Sequence, residues 1–195
     1  MTSFRLAFAA VALMSVPLLA QAEPKPGTPA AASSTCSAEQ LGQIDAAFTD
    51  AGAALETAIR QISAEPQHPE LHRWFGSTPA KFVRMNLERV ALQVGRGRPA
   101  TIECLHPTTC DASIFAYARQ ATGVMGFCRA FFGAGREGRD SRFGILVHEV
   151  SHVAIGTRDA TYQPRNVLAL AKDEPATSAM NADSYEYLVE ALAAR

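Results

Sequence analysis

The sequence predicts a single α+β domain with helices at both ends and a small, mostly antiparallel sheet between them. Three observations carry this. Apolar residues recur every three or four positions from Leu41 to Ile62, the spacing of a helix with one buried face. Between Ala100 and Phe132 the texture changes to short β-branched and aromatic runs separated by Pro, Asp and Gly, the pattern of short strands. From Ser141 onward helical spacing returns, and helices around a small sheet make one packed domain. The chain has 195 residues, 48% of them apolar and 19% charged, enough to build a real core and too apolar for a disordered chain.

Met1 to Ala22 reads as a secretory signal peptide. Arg5 supplies the positive end, Leu6 to Ala20 the apolar stretch, and Ala20-Gln21-Ala22 the small-x-small cleavage pattern. No apolar run reaches the ~20 residues of a membrane span, so no span is expected after cleavage and the product should be secreted or periplasmic. Residues 23–35 (EPKPGTPAAASST) are rich in Pro, Ala, Ser and Thr and read as a flexible lead-in. The folded domain is expected over 36–195. A net charge of −1 argues against nucleic acid as a partner, because such binding draws on a basic surface.

Ser37-Ala38-Glu39-Gln40 is a capping-box pattern, and the helix it opens should end before Pro66. His68 to Gly76 reads as a short helical turn that holds the single tryptophan, Trp74, as a core anchor. A second long helix should start at Thr78-Pro79, with Pro in the first helical position, and carry Val83, Leu87, Val90 and Val94 to Gly95. Strands are expected at Thr101–Leu105, Ser113–Tyr117 and Val124–Cys128. Gly133–Arg139 is a loop without a phosphate-binding pattern. A further helix runs from Asp140 or Ser141 to Ile155, where Gly156 suits a left-handed end. Val167–Lys172 is helical, and Asn181 caps a last helix through Leu192.

Export would place Cys36, Cys104, Cys110 and Cys128 in an oxidising compartment, where pairing is expected. Four cysteines allow three connectivities. None belongs to a C-x-x-C pair, which argues against a zinc ribbon. A Cys110–Cys128 bond would contribute about 3 kcal/mol in the chain-entropy account.

The chemistry concentrates in His148-Glu149-Val150-Ser151-His152. Positions four apart share one helix face, so both imidazoles can hold one metal ion, with Glu149 beside them. This H-E-x-x-H pattern is a zinc-protease signature. A catalytic zinc takes three protein ligands and keeps one position open. Ile155 and Arg158 stand where the metzincin pattern needs Gly and His, so that subclass is excluded. Glu174, Glu186 and Glu190 are formal third ligands; Asp159, just past Gly156, is nearer.

Gly156-Thr157-Arg158-Asp159-Ala160-Thr161-Tyr162 resembles the G-T-x-D-x-x-Y signature that accompanies H-E-x-x-H in the aspzincins, the deuterolysin and peptidyl-lysine metalloendopeptidase family. Asp140-Ser141-Arg142 before the active helix also resembles that family. Asn181-Ala182-Asp183-Ser184-Tyr185-Glu186-Tyr187 after it resembles the lysine-specific branch. Gln163 departs from the pattern, where the family usually has glycine after the tyrosine. The resemblance implies a zincin-like fold, Cys36–Cys104 and Cys110–Cys128 disulfides, and one Zn²⁺ per chain on His148, His152 and Asp159. It further implies Glu149 as general base toward a zinc-activated water and Tyr162 as oxyanion donor. Asp183 and Glu186 would bind the residue after the scissile bond, preferring Lys. The implied activity is that of an exported endopeptidase, monomeric and acting on proteins or peptides. The alternative is an exported zinc-binding effector without turnover. An extended substrate would pair with an edge strand, and either Val124–Phe127 or Ile114–Tyr117 could serve.

Overall fold

The computed structural model describes residues 35–194; the expected signal peptide and nearly all of the lead-in lie outside the described residues. Helix α1 (Ala38–Ala64) opens with the expected capping box: the Ser37 hydroxyl accepts the Gln40 N–H, and the Gln40 side chain accepts the Ser37 N–H. Its buried stripe alternates small and large residues, from Ile44, Ala47 and Phe48 to Ala58 and Ile62. The alanines let neighbouring helices approach closely. Short α2 (Pro69–Phe75) and α3 (Ala80–Val94) follow. In α3 Pro79 occupies the cap itself rather than the first helical position, a shift of one residue. Trp74 is buried and packs on Tyr187 with ring centroids 5.1 Å apart, while its indole N–H donates to Glu70.

The sheet has three strands, β1 (Thr101–Cys104), β2 (Ala116–Arg119) and β3 (Val124–Phe127), in the order β1-β3-β2. The expectation of a mostly antiparallel sheet holds for β2–β3 only; β1 pairs with β3 in parallel, Thr101 opposite Val124 and Cys104 opposite Phe127. A parallel pair needs a long return path, and residues 105–123, which include β2, provide it. Strand β2 also begins later than expected. The Asp111 carboxylate accepts the Ser113 N–H, the Ser113 hydroxyl and the Ile114 N–H. This local turn takes residues 111–114 out of the strand.

Helix α4 (Arg129–Gly133) is too short to show periodicity in the sequence. Helix α5 (Arg142–Ile155) begins at Ser141, whose hydroxyl accepts the Gly144 N–H. Gly156 ends it at φ 71°, ψ 31°, a left-handed turn that costs glycine no Cβ clash. Helix α6 (Pro164–Asp173) starts earlier than the expected 167, α7 (Pro175–Ser178) was not expected, and α8 (Ala182–Ala193) closes the fold. Helix α5 packs against α8, α1, α3 and β2. Every residue from Phe143 to Ser151 is therefore buried, a central position that explains why the helix is apolar nearly all round.

The resemblance implied two disulfides, and both are present. Cys36–Cys104 ties the start of α1 to the end of β1; Cys110–Cys128 ties the β1–β2 loop to the end of β3. They brace the small sheet beside α5.

Candidate active site

His148 and His152 stand one turn apart on α5, with ring centroids 4.9 Å apart and planes at 84°. The helix ends three residues later, at Ile155. The loop after Gly156 returns over them and brings one carboxylate oxygen, Asp159 Oδ1, to 3.1 Å from His148 Nε2 and 3.2 Å from His152 Nε2. The other ring nitrogens are engaged on the far side. His148 Nδ1 lies 2.7 Å from Asp183 Oδ1 and 3.4 Å from Glu186 Oε2. His152 Nδ1 lies 2.9 Å from the Thr157 carbonyl oxygen.

Those partners decide the tautomers. A carbonyl can only accept, so His152 carries its proton on Nδ1; the Asp183 carboxylate imposes the same on His148. In its neutral form each ring aims an Nε2 lone pair at the Asp159 carboxylate, so this cluster of donors calls for a cation, a proton or a metal ion. A divalent cation satisfies that donor set. Two imidazoles and one carboxylate, each imidazole backed by an acceptor, form a recurring zinc environment. The residues present therefore fit zinc.

The electrostatics agree. Burial opposes protonation of His148, but Asp159, Asp183 and Glu186 outweigh it and raise its pKa well above the ordinary value. Burial would raise Asp159 too, yet the two imidazoles hold it well below the usual carboxylate range. The site draws positive charge to this spot.

Glu149 is buried and lines the same cleft as Ala118 of β2. Burial raises its pKa, against the pull of the two histidines. Tyr162 is 53% exposed. Its ring stacks on His148 at 6.3 Å and 13°. Burial and the Asp159 charge push that phenol up to about 12, so it stays a donor at neutral pH. All of these side chains line one cleft of about 770 Å³, bordered on one side by Ser113–Ala118.

Asp183 and Glu186 occupy the first turns of α8, almost fully buried, and face both the cleft and His148 Nδ1. Burial raises Glu186 to about 7. Of the other formal ligands, Glu190 turns to Ser141, accepting its N–H at 2.8 Å and its hydroxyl at 2.7 Å. Glu174 ends α6, exposed, bonded to Thr177. Neither reaches the Nε2 atoms.

Several residues the motifs did not single out support the site. Gln120 donates to the His152 carbonyl at 2.6 Å. Thr157 and Ser151 share a buried hydroxyl pair at 2.6 Å. Asn181, expected only as a helix cap, makes no capping bond to its own helix and accepts from the loop after Asp159. Gln163, where a glycine was expected, adopts φ 70°, ψ 140° and donates its N–H to Asp183 Oδ2 at 3.2 Å. Thr157 lies inside the G-T-x-D run, Asn181 reads as a cap and Gln163 as a departure from the pattern; Gln120 and Ser151 carry no signal of their own.

Comparison with known proteins gives the family. The family model Aspzincin M35, described as lysine-specific metallo-endopeptidase, matches residues 61–190. The chain is 30% identical over 165 residues to an extracellular protease of Aeromonas hydrophila, covering 81% of this chain and 46% of that protein, so it spans less than half of this relative's length. It is 29% identical over 160 residues to a peptidyl-Lys metalloendopeptidase of Pleurotus ostreatus, covering 80% of this chain and 94% of that one. The fold is similar to that of a zinc peptidase from Grifola frondosa, with a TM-score of 0.70 and 29% identity over 80% of this chain and 96% of that chain. The chain belongs to the aspzincin metalloendopeptidase family.

Proposed function

We propose that this chain is a zinc-dependent endopeptidase whose metal is held by His148, His152 and Asp159, one ion per chain. The observation that carries the reading is the meeting of both Nε2 atoms on one Asp159 oxygen while both Nδ1 atoms are taken. When bound, zinc polarises the scissile carbonyl and makes a neighbouring water more acidic. Glu149 accepts the proton of the attacking water and later delivers it to the leaving amine, a task for a carboxylate whose pKa burial has raised. Tyr162 donates its hydroxyl to the carbonyl oxygen as negative charge builds there, a donor worth ~3 kcal/mol in comparable sites.

The substrate backbone pairs with β2. Strand β3 has both edges occupied, whereas β2 is an edge and borders the cleft, which favours the Ala116–Tyr117 part of the expected Ile114–Tyr117 run, where it overlaps β2, over Val124–Phe127. Asp183 and Glu186 receive a cationic side chain after the scissile bond, so lysine is preferred; peptidyl-Lys relatives point the same way. The protein acts outside the cytoplasm, a reading supported by two disulfides and an extracellular relative. Among the described residues no helix is long and apolar enough to cross a membrane. Every proposed side chain comes from a single chain, so a monomer suffices.

Mass-spectrometric mapping of cleavage sites in a denatured protein mixture tests this. Zinc-loaded protein should cut before lysines; chelator should stop it; Glu149→Gln should stop it while retaining zinc. Zinc-loaded wild type that cuts nothing would overturn the reading, and cuts spread without regard to lysine would remove the specificity.

A further inference from the structure

We propose that Asn181 is a positioning residue that fixes the Asp159 loop and thereby sets how tightly the site holds its metal; this rests on the ligand reading above. His148 and His152 inherit their places from a buried helix. Asp159 does not. It lies beyond Gly156 in a loop whose residues 158–160 are exposed, and its side chain is 39% exposed. Such a carboxylate is a good third ligand only if the backbone around it is held.

The holding comes from the α7–α8 junction. On one side of Asp159, Arg158 forms a parallel bridge with Asn181: the Arg158 N–H donates to the Met180 carbonyl at 2.8 Å, and the Ala182 N–H donates to the Arg158 carbonyl at 3.0 Å. On the other side, the Asn181 Oδ1 accepts both the Ala160 N–H at 3.0 Å and the Thr161 N–H at 3.1 Å. Asp159 thus sits between two anchors that share one residue.

Asn181 is fully buried, and both ends of its amide are used. The oxygen faces the two loop N–H groups; the Nδ2 donates to Ser184 Oγ at 3.3 Å, so the network admits one orientation of the amide. An asparagine at this position ordinarily turns its oxygen to the N–H groups of its own helix. Here it forgoes that bond in favour of the ligand loop. The same short segment carries Asp183, which orients His148, so one buried amide ties the loop ligand to the helix that orients a helix ligand.

The test measures zinc affinity by competition with a chromophoric chelator, the visible spectrum of the cobalt-substituted protein, and the melting temperature of the metal-free protein. Asn181→Ala should weaken zinc binding by about 10–100-fold, the usual cost of losing an outer partner of a ligand, and should alter the cobalt spectrum. Asn181→Asp keeps the double acceptor and should stay far closer to wild type. Loss of melting temperature in Asn181→Ala with unchanged affinity and spectrum would overturn the proposal, because the residue would then be merely structural. Should Asn181→Ala fail to fold, amide exchange in wild type decides: zinc should slow exchange at Ala160 and Thr161, and unchanged exchange overturns the proposal. Asp159→Ala separates the two claims. If it weakens zinc binding and Asn181→Ala does not, this proposal alone fails; if wild type binds no zinc, or Asp159→Ala binds it as tightly, both fail.

Discussion

Replacing Gln163 by glycine should stabilise the protein. Gln163 holds φ 70°, ψ 140°, a region close to that reserved for glycine and costing of order 1–3 kcal/mol for other residues. Its side chain is exposed and makes no hydrogen bond among the described residues, so little is lost with it. The backbone bonds survive the change: the N–H to Asp183, and the carbonyl that accepts the Asn166 and Val167 N–H groups at the start of α6. Against the relief stands the greater freedom of glycine in the unfolded chain, about 0.5–1 kcal/mol. The net gain is about 1 kcal/mol, which for a chain of this size raises the melting temperature by ~2–4 °C. Gln163→Ala removes the same side chain but keeps the strain, so it should gain nothing. Calorimetry of the three metal-free proteins distinguishes them. A Gly variant no more stable than the Ala variant would refute the reasoning, since the pair differs chiefly in tolerance of positive φ.

Three further outcomes are expected. Loss of Cys36–Cys104, which closes a separation of 68 residues, should cost about 4 kcal/mol. Loss of Cys110–Cys128, with a separation of 18, should cost about 3 kcal/mol on the same chain-entropy account; paired Cys→Ala variants compared by denaturant unfolding would contradict this if the order reversed. Burial, reinforced by the Glu186 charge, pushes Glu190 to about 8, whereas an unfolded glutamate releases its proton near ~4.3. The native state therefore binds the extra proton between those values, so stability should fall as pH rises through that window. Glu190→Gln should flatten the upper part of the fall in the metal-free protein; an unchanged slope would show that Glu190 is not its source. Glu149→Gln should bind zinc with near wild-type affinity by the same chelator competition, because Glu149 is not among the groups gathered at the Nε2 atoms; a large loss of affinity would place it among the ligands instead.

The long elements were legible because their signals are local. The Ser37 capping box, the Ser141 cap and the left-handed Gly156 each act within a few residues of themselves, and the apolar periods of α1, α3 and α5 report faces that are indeed buried. Helices α4 and α7 span about one turn and leave no period to read. Strand β2 was displaced by a side-chain turn at Asp111 that competes with the extended backbone. The parallel β1–β3 pairing joins segments distant in sequence, and no spacing rule ranks it against an antiparallel alternative.

For the site, the chain order of His148, Glu149, His152 and Asp159 was enough to identify the donor types, since helical pitch alone sets two imidazoles side by side. What the order of residues could not supply was direction. The G-T-x-D run already pointed to Asp159 rather than Glu174 or Glu190; that one of its oxygens meets both Nε2 atoms depends on the path of the loop after Gly156. That Asp183 backs His148 depends on α8 packing along α5. Likewise Asn181 looked like an ordinary cap, and only its neighbours turn its oxygen away from its own helix. Local sequence determined which groups were available and on which helix face. The packing of distant segments decided which atoms of those groups face one another, because a side chain's orientation is chosen by partners that the linear chain does not place beside it.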